Sequence, residues 1–211
     1  MDVGLVGLVA GSGWAAGINL YGVVGLLGIL GRLGVGPVPD GLQRTDVIVI
    51  ALVLFAVEFV ADKVPYFDSF WDAVHTVIRP VGAAAIGALL TGDADSWQQA
   101  VAVIGSGGLA TAAHAAKATA RLAINSSPEP ASNSLASLVE DGLMAAVVWF
   151  AVSNPIVALV LVTVLLVAGG ALTVALFGVA RRVLRSRRRH REGDEPPGPS
   201  GGAQTTVETS G

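Results

Sequence analysis

The sequence contains no cysteine, which excludes disulfides and thiolate metal sites. Charge is scarce as well. Asp, Glu, Lys and Arg make up 14% of the 211 residues, against roughly a quarter in an ordinary soluble domain. There are three histidines, and the two near carboxylates, His75 and His114, lie in no compact ligand motif such as HExxH, so no metal site is expected. Ser126, Ser127 and Ser132 could be set beside His114 as nucleophiles, but no G-x-S-x-G or comparable context supports it. Gly105-Ser106-Gly107-Gly108 falls inside an apolar run and reads as a packing element, not a phosphate cradle. No catalytic residue and no cofactor is therefore assigned. The start MDVGLVGLVAGSG carries Asp2 and lacks a basic n-region, so a cleaved signal peptide is not expected.

What is abundant is apolar. Hydrophobic residues reach 53%, glycine numbers 27, and the mean hydropathy is +0.67. This is an integral-membrane composition, and it predicts an all-α polytopic bundle. About six spans can be drawn, at 14–33, 47–63, 69–90, 98–124, 134–153 and 156–180. A short lead at 3–10 is set apart by Gly11-Ser12-Gly13. In the first span Asn19 is the only strongly polar side chain, and Gly22, Gly25, Gly28 and Gly31 recur every three residues, which suits close helix packing. Pro80 predicts a kink or break in the third span. The sixth is almost pure Val, Leu, Ala and Gly and reads as peripheral.

Orientation comes from the end of the chain. Eight basic residues, counting His190, crowd 181–191 and are read as a cytoplasmic juxtamembrane anchor, not a nucleic-acid site. Six spans then put the N-terminus in the cytoplasm too, with the turns near 64–68 and 125–133, and the acidic loop at 92–96 outside. The intended partition is a membrane domain over 1–180, the basic segment at 181–191 and a disordered tail at 192–211.

The informative charges cluster. Glu58, Asp62 and Lys63 end the second span; Asp68, Asp72, His75 and Arg79 open the third; His114, Lys117 and Arg121 end the fourth; Glu140 and Asp141 open the fifth. Their spacings are those of single helical faces, and up-and-down connectivity brings all four sets to one side of the bundle. Six acids face four fixed bases, so balance requires both imidazoles to carry charge, and either could then titrate near physiological pH. Interfacial anchoring accounts for part of this, with Ser137-Leu-Val-Glu140 as a capping box. It does not account for Glu58 and Asp62, two acids at a helix C-terminus where the dipole disfavours them.

At these residues the chain resembles an uncharacterised family of bacterial multipass membrane proteins, of the domain of unknown function 4126 type. The matching elements are Gly17-Ile-Asn19, Glu58 through Pro65, Asp68, Trp71 through Pro80, His114-Ala-Ala-Lys117, Arg121, Ser127-Pro128-Glu129-Pro130, Ser132-Asn133 and Glu140-Asp141. The resemblance spans roughly 14–160 and adds Asn133 to the candidate polar site. It implies a membrane protein and carries over no activity. The helix pairs 47–90 and 98–153 look like weak parallel repeats flanking a polar site, a transporter habit. The first expectation is a small transporter or channel for a proton, ion or small polar solute, its charged, His-containing cavity opening to the cytoplasm. A structural or accessory role for the charges is the alternative, and a membrane-embedded enzyme ranks last. The bilayer is the expected partner, nucleic acid is not, and homo-oligomerisation is left open.

Overall fold

A computed structural model describes residues 1–64, 67–125 and 130–193, with side chains for all of these except 68, 130 and 183–193. Among the described residues there are seven helices and no strand: α1 Val3–Ile18, α2 Leu20–Arg32, α3 Thr45–Ala61, α4 Phe67–Leu90, α5 Ser96–Asn125, α6 Pro130–Ser153 and α7 Pro155–Gly193. The protein is an all-α membrane bundle. Ser69–Leu90, Ala131–Ser153 and Pro155–Arg182 are long and apolar enough to cross a bilayer. The chain divides into two compact units, Met1–Leu176 and Phe177–Gly211. Of the second, the described part is the continuation of α7 as far as Gly193. The expected tail lies outside the described residues from 194 onward, as do Pro65 and 126–129.

The expected first span over 14–33 is instead two helices. α1 has 16 residues and α2 has 13, about 24 and 20 Å at 1.5 Å per residue, so each falls short of a ~30 Å hydrocarbon core. They meet at Asn19, which adopts an extended conformation (φ −151°, ψ 99°) and caps α2 by accepting from the Gly22 N–H at 2.9 Å. A single residue suffices for the break because asparagine's side chain replaces the backbone bond that the helix gives up.

The two helices form a re-entrant hairpin. Near the start of α1, Gly7 lies against Pro155, and Leu5 shares a surface pocket with Pro37–Pro39 and Thr91–Ala94. Just beyond α2, Gly36 lies against Val152. Both arms thus begin and end beside the α6–α7 junction. The tip is elsewhere: the Asn19 amide donates to Asp141 Oδ1 at 3.1 Å, eleven residues before Val152 along α6 and so roughly 16 Å deeper. The N-terminus therefore lies at the end of the bundle opposite the α3–α4 connection, not beside it as six full spans would require.

α1 is buried around its whole circumference from Val9 to Ile18 apart from Ala10, packing against α4, α5 and α6. Gly11-Ser12-Gly13, read as a break, is mid-helix. Gly11 meets Ala151 and Gly13 meets the Ser106 backbone, approaches that a larger side chain would block. α2 packs against α3 and α6, with Gly22 against Met144, Gly25 against Leu52 and Gly28 against Ile48. Because the hairpin is inserted among the other helices, α3 and α4 barely touch, as do α5 and α6, and the most extensive contact is α4 with α5. α4 is unbroken across Pro80, and α7 is the least buried of the three long apolar helices.

Candidate functional site

Four helices deliver the charged stripes to the hairpin tip. From α4, Arg79 is fully buried and donates from Nη2 to Glu58 Oε1 at 2.6 Å, while its Nη1 lies 3.2 Å from Asp72 Oδ1. From α5, Lys117 Nζ donates to Asp62 Oδ2 at 2.7 Å and stands 3.5 Å from Glu140 Oε2. One turn on, Arg121 grips Glu140 with both prongs, Nε to Oε1 at 3.1 Å and Nη2 to Oε2 at 2.6 Å. Its Nη1 donates to Asn133 Oδ1 at 2.7 Å and to the Asp62 carbonyl at 3.0 Å, and the Asn133 amide donates to that same carbonyl at 2.9 Å. The acids at the C-terminus of α3 are thus held by three bases from α4 and α5, which offset the unfavourable helix dipole.

The hairpin tip closes on this network. Arg79 Nη1 donates to the Gly17 carbonyl at 3.3 Å and Lys117 Nζ to the Ile18 carbonyl at 3.2 Å. These are the last carbonyls of α1, the negative end of that helix, and cations are the partners they call for. On the other side of the break, Asp141 stands near the positive N-terminus of α2.

The carboxylates outnumber the bases. Glu58, Asp62, Asp72 and Glu140 face Arg79, Lys117 and Arg121, and adding the peripheral Asp141 and Lys63 leaves the difference unchanged. Acceptors are also in surplus. Among the described residues, Glu58 Oε2, Asp62 Oδ1 and Asp72 Oδ2 receive no hydrogen bond, although all three side chains are buried.

His114 does not make up the deficit as the sequence led one to expect. Arginine has no acceptor, so the 2.6 Å contact from Arg79 Nη1 makes His114 Nδ1 the acceptor and puts the ring proton on Nε2. Nε2 in turn faces the Asp72 carbonyl at 3.1 Å and Thr76 Oγ1 at 3.2 Å. His75 donates from Nδ1 to the Trp71 carbonyl at 2.9 Å and meets the Tyr21 hydroxyl with Nε2 at 3.1 Å. It stands beside the network, its ring tilted against that of Trp71.

Lys63 is peripheral too, donating to the Phe59 carbonyl at 2.9 Å and to Ser137 Oγ at 3.3 Å over the Phe59 ring. Ser137 is therefore not a helix cap. α6 begins at Pro130, which carries Glu140 about 15 Å into the helix and explains how it lies deep enough to reach Arg121. The side chain of Asp68 lies outside the described ones. Sequence reasoning missed Thr76, Tyr21 and the Gly17 and Ile18 carbonyls. Only the Gly17-Ile-Asn19 motif pointed toward the last two.

Two cavities reach the network from different sides of α5. One, about 510 Å³, is lined by Trp14, Ile18, Ala113, Leu165 and Gly169, with Lys117 and Glu140 at its polar wall. The other, about 220 Å³, lies between α4 and α5 and is lined by Ser69, Asp72, Ala73, Thr76, Ala118, Arg121 and Leu122. Neither is lined by a histidine. Among the described residues no group of three His, Asp or Glu is placed to hold a metal.

A protein-family profile described as a domain of unknown function, DUF4126, matches residues 6–175. The chain belongs to this family. The matched region runs from the start of the re-entrant hairpin to within two residues of the end of the first compact unit, so the whole charged core lies inside the family domain. No curated protein and no solved structure matches the chain.

Proposed function

We propose that the protein is a small transporter or channel that moves a proton, ion or small polar solute across the membrane through its charged core. The observation that carries this reading is the re-entrant hairpin. Two half-length helices end inside a buried ion-pair network, with α1 directing carbonyls at Arg79 and Lys117. Discontinuous helices whose termini meet at a buried charged site are the architecture by which secondary transporters bind ions and substrates. The surplus of carboxylate oxygens supports it further, since a network that served only to brace the bundle would gain from full pairing.

The basic run at 181–191 favours a cytoplasmic C-terminus in the plasma membrane. The hairpin's open end and the 91–95 loop then face outward, and the α3–α4 and α5–α6 connections face the cytoplasm. The structural alternative draws on one observation, the two-pronged Arg121–Glu140 pair that ties α5 to α6.

Currents recorded from proteoliposomes on a solid-supported membrane discriminate the two readings. Steps in proton, alkali-cation, divalent-cation and small-solute concentration should evoke a current for at least one of them that empty liposomes lack. A folded protein silent across the whole panel would overturn the transport reading in favour of the bracing one.

A further inference from the structure

We infer that the pocket between α4 and α5 is the aqueous path by which a proton reaches the core, and that Asp72 is the carboxylate that takes it. This deepens the transport reading and rests on it for its physiological meaning. The pocket occupies the first turns of α4 and the last turns of α5. Asp72 stands five residues past the start of α4, about 7 Å along the helix, a depth comparable to the headgroup layer that flanks the hydrocarbon core. Its volume of about 220 Å³ holds several waters, each needing polar partners. Thr76 and Asp72 supply such partners along the wall.

Asp72 is the buried acid that this pocket reaches. Its Oδ1 lies 3.2 Å from Arg79 Nη1 and 3.9 Å from Lys117 Nζ, both outside hydrogen-bond geometry, and its Oδ2 has no donor among the described residues. Among the described residues the other titratable groups around it are Glu58 and Asp62 from α3, His75 from its own helix, His114 and Arg121 from α5 and Glu140 from α6. His114 addresses its backbone carbonyl and not its carboxylate. Counted with every acid ionised, the network is one positive charge short.

The bases select what can supply that charge. A metal cation entering the pocket would pass Arg121 and meet Arg79 and Lys117 around the same oxygen, with no trio of ligands among the described residues to hold it. A proton needs a single lone pair. A hydronium in the pocket transfers its proton to the Asp72 carboxylate, forming one O–H bond and leaving a water. Release is the reverse transfer, to a water.

Infrared difference spectroscopy of the full-length protein in phosphatidylethanolamine–phosphatidylglycerol liposomes tests this without requiring flux. Acidification should produce a protonated-carboxyl C=O band that moves when the protein is made with isotopically labelled aspartate. The band should be lost in Asp72→Asn, moved in Asp72→Glu and kept in Asp46→Asn, an exposed acid outside the core. A cysteine at Ala118 on the pocket wall should react with a membrane-impermeant methanethiosulfonate, and the adduct should slow the appearance of the band several-fold. No band, a band unmoved by labelled aspartate, or one surviving in Asp72→Asn would overturn the assignment of Asp72. An unreactive Ala118→Cys, or an adduct without effect, would overturn the pocket as the path. A silent transport panel with the Asp72 band intact would strike the transport reading alone.

Discussion

Arg121 spends every nitrogen of its guanidinium inside the protein, reaching Glu140, Asn133 and the carbonyl at the end of α3. Replacing it with alanine leaves Glu140 and the Asp62 carbonyl short of donors and shifts the network further negative. Removing one member of a buried pair costs about 3–5 kcal/mol. Arg121→Ala should therefore lower the unfolding free energy in mixed micelles by about that much, whereas a loss of about 1 kcal/mol or less, the size of an exposed pair, would contradict the geometry. The charged residues were legible in the sequence because helical spacing puts them on single faces and connectivity puts those faces at one end. Their partners were not. Which base meets which acid depends on helix rotation, and that Arg79 would use His114 Nδ1 as an acceptor is visible only when the two side chains are in place.

The α1–α2 hairpin is the element on which the site depends, and Asn19 holds its turn. The side-chain oxygen accepts from Gly22 and the amide donates to Asp141, so one residue both starts α2 and anchors the tip to α6. Asn19→Ala removes both bonds and should destabilise the protein by about 1–2 kcal/mol, the usual range for a lost cap. Asn19→Asp keeps the cap acceptor but sets a carboxylate against Asp141, and should be at least as damaging. A melting temperature unchanged in both variants would contradict the capping role. The sequence exposed Asn19 as a lone polar residue in an apolar run, yet nothing in hydropathy separates a polar residue inside a span from one that ends two half-spans. The same ambiguity made Gly11-Ser12-Gly13 look like a break, when small residues there let α1 sit against α5 and α6.

At the scale of the molecule, composition was sufficient to predict a membrane bundle, and the long apolar helices realise it. What composition could not supply was the parity of crossings, because one hairpin in place of one span moves the N-terminus to the other side. That reversal is what carries the α1 carbonyls into the charged core from the end opposite the α3–α4 connection. The most direct test is cysteine labelling of intact cells with a membrane-impermeant maleimide. The protein itself contributes no background, because the chain has no native cysteine. Single cysteines at Val3 and Ala94 should label together, and a cysteine at Val64 should label only after the membrane is permeabilised. Val3 labelling in company with Val64, and not with Ala94, would contradict the re-entrant hairpin.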